Sequence, residues 1–364
     1  MKKIDIKIPN NFYQVYLGSN IFHKLSNLDV IKRNKNIFLV VDKNLYLNHR
    51  DKISLFYNNI GTKKFLYVFE ATEKNKSFTE IKNIIAALIK NNFGRDTLLI
   101  SIGGGITGDV ASFAASIYSR GIKYINVPTT LLSMVDSSVG GKTGINFGNT
   151  KNIVGTFYQP DLVFIDIEFL KTLPHEEIVC GMGEILKYGL LIGDNFFEEI
   201  KNKRNKILEF NSTTIIDVIK NCIQFKSDIV RNDEKEKTGL RKVLNLGHTF
   251  AHAIEVEQKH HIKHGQAVIA GLACALHLSN KINLLNDSNL EKYLPLLISF
   301  ADSIDIQKYD TKKLYEIMKR DKKNKDEKIK FVLLKKAGEL FVDIETKKED
   351  VIYALNNGLQ YYKA

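Results

Sequence analysis

A glycine-rich turn between an apolar run and a helical run is the feature that most limits the possible folds. Residues 97–102 form a short apolar run typical of a buried strand, and residues 103–109 read Gly-Gly-Gly-Ile-Thr-Gly-Asp. Apolar residues at helical spacing then continue to about Tyr118. Glycine lets the backbone approach a ligand closely, and the first turn of a helix has free amides, so this turn could bind phosphate. The glycines do not match the Gly-x-Gly-x-x-Gly fingerprint, and an ordinary tight turn is an equal alternative.

A second long loop of small and polar residues follows the next predicted strand, at residues 124–127. It contains Pro128-Thr129-Thr130 and then residues 135–146, with a lysine among glycines and serines. Lys151-Asn152 adds a cation and an amide. Two such loops after consecutive strands predict a dinucleotide at the carboxyl ends of a parallel sheet.

Strands and helices alternate through the first half of the chain. Residues 1–20 predict a strand pair, residues 36–41 and 65–69 predict single strands, and residues 78–91 have helical periodicity. This alternation predicts a mostly parallel sheet with helices on both faces. Asp42, at the end of one predicted strand, could contact a ribose hydroxyl or cap a helix.

The character of the chain changes at about residue 171. Glycine-rich loops become rare, and helical periodicity dominates to about residue 318. We therefore expect an α/β domain over residues 1–170 and a helical domain over residues 171–364. The lysine-rich residues 319–330 are typical of a solvated loop.

Histidines are concentrated in one part of the predicted helical domain. His248 and His252 are four residues apart, so a helix would place both imidazoles on one face, with Glu255 one turn further on. His264 follows in a short histidine-rich segment that includes His260. Two or three imidazoles and a carboxylate are the ligands of an open zinc site. Taken alone, the pair is more often two half-exposed histidines on a helix.

Glu184 and Lys187 are three residues apart in a predicted helix. At that spacing the two side chains share one helical face. Exposed Glu and Lys pairs of this kind are usually surface ion pairs, so the spacing alone does not indicate a site.

Composition excludes several classes of protein. The 364 residues carry a formal net charge of +12, but the lysines are scattered and no compact basic and aromatic patch occurs, so we expect no nucleic acid partner. No apolar run approaches the length of a membrane span, and the N-terminus lacks the apolar core of a signal peptide. The three widely spaced cysteines suggest neither a disulfide framework nor a thiolate zinc site, and a reducing cytoplasm is the expected location.

Together, these residues resemble the 3-dehydroquinate synthase family of sugar-phosphate cyclases over about residues 40–335. The block at residues 135–146 is specific by itself. The other matching motifs are Gly103-Gly104-Gly105-x-x-Gly108-Asp109, Arg120-Gly121, Pro128-Thr129-Thr130-Leu131-Leu132, Lys151-Asn152, Gln159-Pro160, Thr172-Leu173-Pro174, Gly183-Glu184-x-x-Lys187, Arg241-x-x-Leu244-Asn245-x-Gly247-His248, His252-Ala253-x-Glu255 and His264-Gly265. The chain departs from the family at Ala71-Thr72, but Glu73 and Lys76 of that motif remain.

The resemblance implies a Rossmann-like NAD-binding α/β domain followed by an all-helical C-terminal domain, in a homodimer. It implies conversion of 3-deoxy-D-arabino-heptulosonate 7-phosphate to 3-dehydroquinate and phosphate in the shikimate route to aromatic amino acids. The steps are oxidation by NAD, β-elimination of phosphate, reduction, ring opening and aldol closure. NAD is regenerated in each turnover, and one divalent metal, zinc or cobalt, is required.

The resemblance also implies roles for individual residues. The metal ligands are Glu184, His248 and His264, with His252 turned toward the substrate. The other residues around the substrate are Lys142, Lys151, Asn152, Lys187, Lys226, Arg241 and Asn245, with Arg120 from the neighbouring subunit. Lys322 or Lys323 could add charge. The residues for NAD are Asp42, Asn44, Glu73, Lys76, Gly104, Gly105, Gly108, Asp109, Thr129, Thr130, Asp136, Lys142, Lys151, Phe169 and Thr172.

Two alternatives from other classes remain at this point. A polyol dehydrogenase with the same metal- and NAD-dependent plan would release NADH stoichiometrically and would not need the crowded lysines. A binding protein without catalysis would not need the three metal-ligating residues.

Overall fold

The computed structural model describes residues 1–9, 11–61, 63–148, 150–259, 261–320 and 328–362. Two compact units are present. The first contains Met1–Leu173 and Phe210–Lys235, and the second contains Pro174–Glu209 and Glu236–Ala364. The sequence predicted one boundary, at about residue 170. In the structure, a later segment, residues 210–235, also packs with the first unit. Among the described residues, every helix is too short or too polar to cross a lipid bilayer.

The first unit is built on a seven-stranded sheet. Its strands and those of a small hairpin are β1 (Lys2–Ile8), β2 (Asn11–Gly18), β3 (Asn36–Asp42), β4 (Lys63–Phe69), β5 (Leu98–Gly103), β6 (Lys123–Pro128), β7 (Ile145–Phe147), β8 (Thr150–Val154) and β9 (Leu162–Asp166). Its helices are α1 (Asp29–Lys32), α2 (Lys43–Asn48), α3 (Arg50–Asn58), α4 (Phe78–Lys90), α5 (Gly105–Ile117) and α9 (Ser212–Asn232). The predicted α/β class is confirmed.

The order of strands in the sheet decides where its loops meet. The order is β1-β2-β9-β6-β5-β3-β4, in which β1 and β2 are antiparallel and the other neighbours are parallel. Gly103 at the end of β5 pairs with Pro128 at the end of β6. The two glycine- and threonine-rich loops therefore leave the sheet side by side, as the sequence predicts.

The second unit is mostly helical. Its helices are α6 (His175–Ile192), α7 (Asp194–Asn202), α8 (Arg204–Leu208), α10 (His248–Glu257), α11 (His264–Lys281), α12 (Asp287–Ile298), α13 (Thr311–Lys319) and α14 (Lys348–Leu359). Helix α11 is buried along almost its whole length. Its own residues are mostly small and apolar on all faces, so every face can pack against neighbours.

A two-stranded hairpin departs from the all-helical expectation for this unit. Strand β10 (Phe331–Lys336) pairs with β11 (Glu339–Ile344) in antiparallel fashion. The first four residues of β10 are buried, and Gly338 turns the chain with a φ of +83°. A short apolar run followed by a residue that tolerates left-handed backbone favours a hairpin over a helix.

A buried carboxylate at the end of β9 fixes the loop that follows β2. Asp166 accepts hydrogen bonds from the backbone N–H groups of Asn20, Ile21 and Phe22, each at 2.8 Å, and from that of Glu168 at 3.1 Å. Asp166 is fully buried, so no solvent can replace these bonds. The side chain therefore holds the end of the sheet together.

Replacing Asp166 with Ala should destabilise the first unit by on the order of 3 kcal/mol, because it leaves several buried backbone donors without an acceptor. Urea unfolding followed by circular dichroism would measure the change. Asp5→Ala is the matched control, since the Asp5 carboxylate bonds Gln14 at an exposed position. An equal, small effect of both substitutions would contradict this interpretation of Asp166.

Candidate functional site

A cavity lies in the first unit at the carboxyl ends of β5 and β6. Gly104, Gly105, Asp109, Ser137 and Lys142 are among the residues that line it. Helix α5 begins at the triple glycine without a side-chain cap. Its first amides are therefore available to an anionic group, as a phosphate site requires.

Asp109 follows the glycine-rich turn but does not cap this helix. Helix α5 begins at Gly105, so Asp109 lies one turn inside it. Its Oδ2 accepts a hydrogen bond from Lys76 Nζ at 2.6 Å. Burial raises the pKa of Asp109, and the Lys76 ammonium opposes that shift. Lys76 therefore provides the partner that makes burial of this carboxylate possible.

Lys226 is brought to the same unit by α9. Its Nζ lies 3.0 Å from Asp136 Oδ1 and donates to the Asp136 carbonyl at 2.8 Å. Asp136 belongs to the helical turn Ser133–Ser137, which follows β6. The long loop and the distant helix are thus joined by a buried cation.

Other residues expected to bind NAD are arranged along the same edge of the sheet. Asp42 ends β3 and caps α2 by accepting from the Leu45 N–H at 2.8 Å, so the capping alternative describes its contact. Thr172 follows β9, and its Oγ1 lies 2.7 Å from His49 Nε2. Phe169 is buried against Phe22, so its side chain is a core group and only its backbone remains for a ligand.

The remaining residues of the predicted set occupy loops and element ends of this unit. Asn44 lies in α2, Thr129 and Thr130 follow β6, Arg120 is exposed after α5, and Lys151 and Asn152 lie on β8. Glu73 lies in the loop before α4, where its Oε2 accepts from Asn146 Nδ2 at 2.8 Å. Lys322 and Lys323 lie outside the described residues, as does His260.

In the second unit, three helices bring a carboxylate and two imidazoles together. Glu184 lies in α6, His248 begins α10 and His264 begins α11. Glu184 Oε1 is 3.5 Å from His248 Nε2 and 3.4 Å from His264 Nε2. One possible ligand atom from each of the three residues lies within 4.8 Å of the other two. This donor set is that of a catalytic zinc or cobalt site.

Direct backbone contact between α6 and α11 creates this arrangement. A Cβ atom on Gly183 would lie 2.1 Å from the Gly265 carbonyl oxygen, and a Cβ on Gly265 would lie 1.7 Å from the Cys180 carbonyl oxygen. Only glycine allows the helices to cross so closely. Because Glu184 follows Gly183 and His264 precedes Gly265, the crossing point places these two side chains together.

The second nitrogen of each imidazole is held by an oxygen. His248 Nδ1 lies 3.1 Å from the Leu246 carbonyl oxygen, and His264 Nδ1 lies 3.3 Å from Glu255 Oε2. Both rings therefore direct Nε2 toward Glu184. Such outer partners orient metal-ligating histidines and raise their basicity. Glu255 was part of the sequence-based cluster, but its contact with His264 depends on the loop between α10 and α11.

Charged and titratable groups in the cluster alter one another's pKa values. Burial opposes ionisation of Glu184, but Lys187 and the two histidines hold its pKa well below the usual range. Burial and the Lys187 charge lower the pKa of His248 to about 4. Burial also opposes protonation of His264, yet Glu184 and Glu255 raise its pKa to about 10. A divalent cation can take the place of the proton that His264 holds between two carboxylates, so the residues fit a metal.

Two sequence-based interpretations of this region differ from the structure. Lys187 and Glu184 are both buried and form an ion pair, so the surface-pair alternative is wrong. His252 lies near the cluster, with its ring centre 5.6 Å from that of His248, but outside the set of three. The spacing of His248 and His252 therefore did not identify the second imidazole.

Arg241 and Asn245 precede the cluster in a separate short helical segment. They belong to the 3₁₀ turn Leu240–Asn245, not to a continuous helix with His248. Gly247 interrupts the helix with a φ of +76°, and a Cβ there would lie 2.9 Å from the Leu272 nitrogen. The spacing of Arg241 and His248 would put them on one side of a continuous helix, and that interpretation is wrong. Arg241 is nevertheless buried, with Nε 3.4 Å from Glu236 Oε1.

Two family models match consecutive parts of the chain. Residues 66–180 match the family described as 3-dehydroquinate synthase N-terminal, and residues 181–324 match 3-dehydroquinate synthase C-terminal. The 3-dehydroquinate synthase of Pelagibacter ubique is 42% identical over 348 residues, which cover 92% of this chain and 93% of that protein. That of Clostridium tetani is 37% identical, over 99% of this chain and 95% of that protein.

Solved structures give the same result for the fold. A 2-deoxy-scyllo-inosose synthase complexed with carbaglucose-6-phosphate, NAD+ and Co2+ matches with a TM-score of 0.86 and 25% identity, over 98% of this chain and all (100%) of that one. An iron-containing alcohol dehydrogenase has a TM-score of 0.64 at 16% identity, over 97% of this chain and 98% of that one, which shows a shared fold alone. From the matched families and the curated relatives, the chain belongs to the 3-dehydroquinate synthase family.

Proposed function

We propose that this chain converts 3-deoxy-D-arabino-heptulosonate 7-phosphate to 3-dehydroquinate and phosphate, with NAD and one divalent metal as cofactors. The observation that carries the proposal is the cluster of buried Glu184 with half-buried His248 and His264 in a member of this family. A chain that only bound a sugar phosphate would not need these three ligands. When bound, NAD takes up and returns a hydride at the substrate, and zinc or cobalt polarises the reacting oxygen.

The residues of the first unit suit the binding of NAD. The backbone N–H groups at the start of α5 can donate hydrogen bonds to the phosphates of NAD. The residues that line the cavity surround this glycine-rich turn. Within the second unit, Lys187 supplies a buried positive charge next to the cluster. Such a charge stabilises an anionic substrate group when water is excluded. We assign the remaining substrate contacts to Lys142, Lys151, Asn152, Lys226, Arg241, Asn245 and His252.

We infer a homodimer, in which Arg120 of each subunit contacts the substrate held by the other. Arg120 has a left-handed backbone, with a φ of +68°, and an exposed residue of this kind can contact a neighbouring subunit. We also expect the protein to act in a reducing cytoplasm, which suits three buried cysteines that form no disulfide with one another.

Phosphate release with substoichiometric NAD tests the proposed reaction. We expect many phosphate ions per NAD, because the hydride returns to the substrate in each turnover. NADH accumulation in proportion to product would instead indicate a polyol dehydrogenase. Absence of phosphate release by the metal-loaded protein would contradict the proposal.

The metal ligands can be tested without turnover. Glu184→Gln, His248→Ala and His264→Ala should each reduce Co2+ affinity by a factor of about 100 or more, since each removes one of three protein ligands. Calorimetric titration of chelator-treated protein would measure this. His252→Ala is the matched control and should keep its metal but turn over slowly. A ligand variant with full metal affinity would remove that residue from the set.

The helix crossing predicts a second, indirect way to lose the metal. Gly265→Ala forces α6 and α11 apart, because the added methyl group meets backbone that cannot rotate away. We expect lower Co2+ affinity together with lower thermal stability. Gly189→Ala, in helix α6 but away from the crossing, is the control, since its methyl group meets the side-chain ends of Ile200 and Phe197 at 3.0 Å and 3.2 Å. Equal metal affinity of the two variants would contradict the role of the crossing.

Arg241 is assigned to the substrate carboxylate, which an arginine can bind through two parallel hydrogen bonds. We expect Arg241→Ala to reduce transition-state binding by about 2–5 kcal/mol, with a much smaller loss for an analogue that lacks the carboxylate. Ratios of kcat/KM on the two substrates measure the difference. The control is Lys242→Ala, which removes an exposed ion pair to Asp343 at 2.6 Å. Equal losses on both substrates would mean that Arg241 has a structural role.

A further inference from the structure

Lys76 joins three separate elements of the first unit through its ammonium group. The side chain is buried and lies in the loop before α4. Its Nζ donates to Asp109 Oδ2 in α5 at 2.6 Å and to Asn152 Oδ1 in β8. A buried lysine is stable only when its charge is paired, and here one of its two acceptors is a neutral amide.

The same loop holds the β7–β8 hairpin through a second set of bonds. Asn146 donates from Nδ2 to Glu73 Oε2 at 2.8 Å, and its backbone N–H donates to the Lys76 carbonyl at 2.8 Å. The Asn152 backbone N–H in turn donates to Asn146 Oδ1 at 3.0 Å. The two strands of the hairpin are therefore joined to each other and to this loop by polar side chains.

Apolar contacts also anchor the hairpin. Ile145 is fully buried in the core, and Phe147 packs edge-on against Phe78 at the start of α4, with ring centres 5.9 Å apart. The hairpin is therefore held by apolar packing as well as by polar side chains. The contacts of Lys76 determine the orientation of one side chain on the hairpin and steady the bonds around that side chain.

That side chain is Asn152. An ammonium group only donates hydrogen bonds, so the Asn152 atom that faces Lys76 must be the amide oxygen. The Nδ2 group, with its two donors, is then directed away from Lys76. The backbone of Asn152 is left-handed, with a φ of +54°, which further limits the positions the side chain can adopt.

We propose that Lys76 is a positioning residue that fixes the amide of Asn152 so that its two N–H donors face an oxygen of the substrate. The inference rests on the proposed function, which assigns Asn152 to the substrate. It differs from the direct contact with NAD that the family resemblance implies for Lys76. The pairing of the same ammonium with Asp109, which lines the cavity, joins this hairpin to the nucleotide-binding part of the unit.

Hydrogen exchange tests the positioning role without cofactors or turnover. In Lys76→Met, amides of residues 145–154 should exchange about tenfold faster, since the Asn152 side chain and its neighbouring bonds are no longer held. Lys74→Met is the matched control, because Lys74 is exposed in the same loop. Unchanged exchange of the hairpin in Lys76→Met would overturn the proposal.

A double-mutant cycle on kcat/KM tests the consequence for the substrate. Lys76→Met and Asn152→Ala should each lower kcat/KM by a factor of about 10–100, and the double variant should be no worse than Asn152→Ala. Losses that multiply independently would indicate a direct contact of Lys76 with NAD and would overturn the positioning role. Wild-type phosphate release is measured first, so failure of the proposed function is recognised separately.

Asn152→Asp covers the case in which Lys76→Met fails to fold. Aspartate keeps the acceptor for Lys76 but lacks the two N–H donors. We expect wild-type hydrogen exchange in the hairpin and a loss of kcat/KM as large as that of Asn152→Ala. Activity near that of the wild type would show that the amide donors do not act on the substrate and would overturn the proposal.

Discussion

The backbone contact between α6 and α11 is the constraint on which the cluster of Glu184, His248 and His264 depends. Glu184 and His264 are adjacent to the two glycines that touch, so their side chains meet only because nothing larger than hydrogen separates the helices. His248 joins them because Gly247 ends one helical segment and starts another. A cluster built at such a crossing is rigid, since the helices cannot slide without a clash of backbone atoms.

Buried charge is paired in the same manner in both units. Lys187 lies against Glu184 in the second unit, while Lys76 and Lys226 lie against Asp109 and Asp136 in the first. Each of these groups would be costly to remove from water alone. Placed in pairs, they supply fixed charges where anionic ligands are expected to bind. The pairs also connect distant parts of the chain, and α9 is held to the loop after β6 in this way.

Much of the fold could be predicted because its signals are local. The alternating residues of β1 and β2, the apolar runs of β3 and β5, and the glycine turn before α5 each correspond to observed elements. Sequence-based predictions failed where a contact depends on residues that are distant along the chain. Glu184 and Lys187 have the spacing of a surface pair, and only their burial distinguishes them from one. Arg241 and His248 have a spacing that would suit one continuous helix, but the chain is interrupted where a neighbouring helix crowds Gly247.

The sequence by itself determined the family and the α/β class of the first unit, because these follow from motifs and periodicity. The family resemblance also pointed to Glu184, His248 and His264, whereas helical spacing alone did not. Only the tertiary structure decided which atoms those residues use. In the folded chain, Nε2 of His248 and Nε2 of His264 face Glu184, and Glu255 contacts Nδ1 of His264. The side-chain oxygen of Asn152 faces Lys76. The physical reason is that a side chain's partner is set by the packing of elements far apart in the chain, and spacing along one helix or strand does not contain that information.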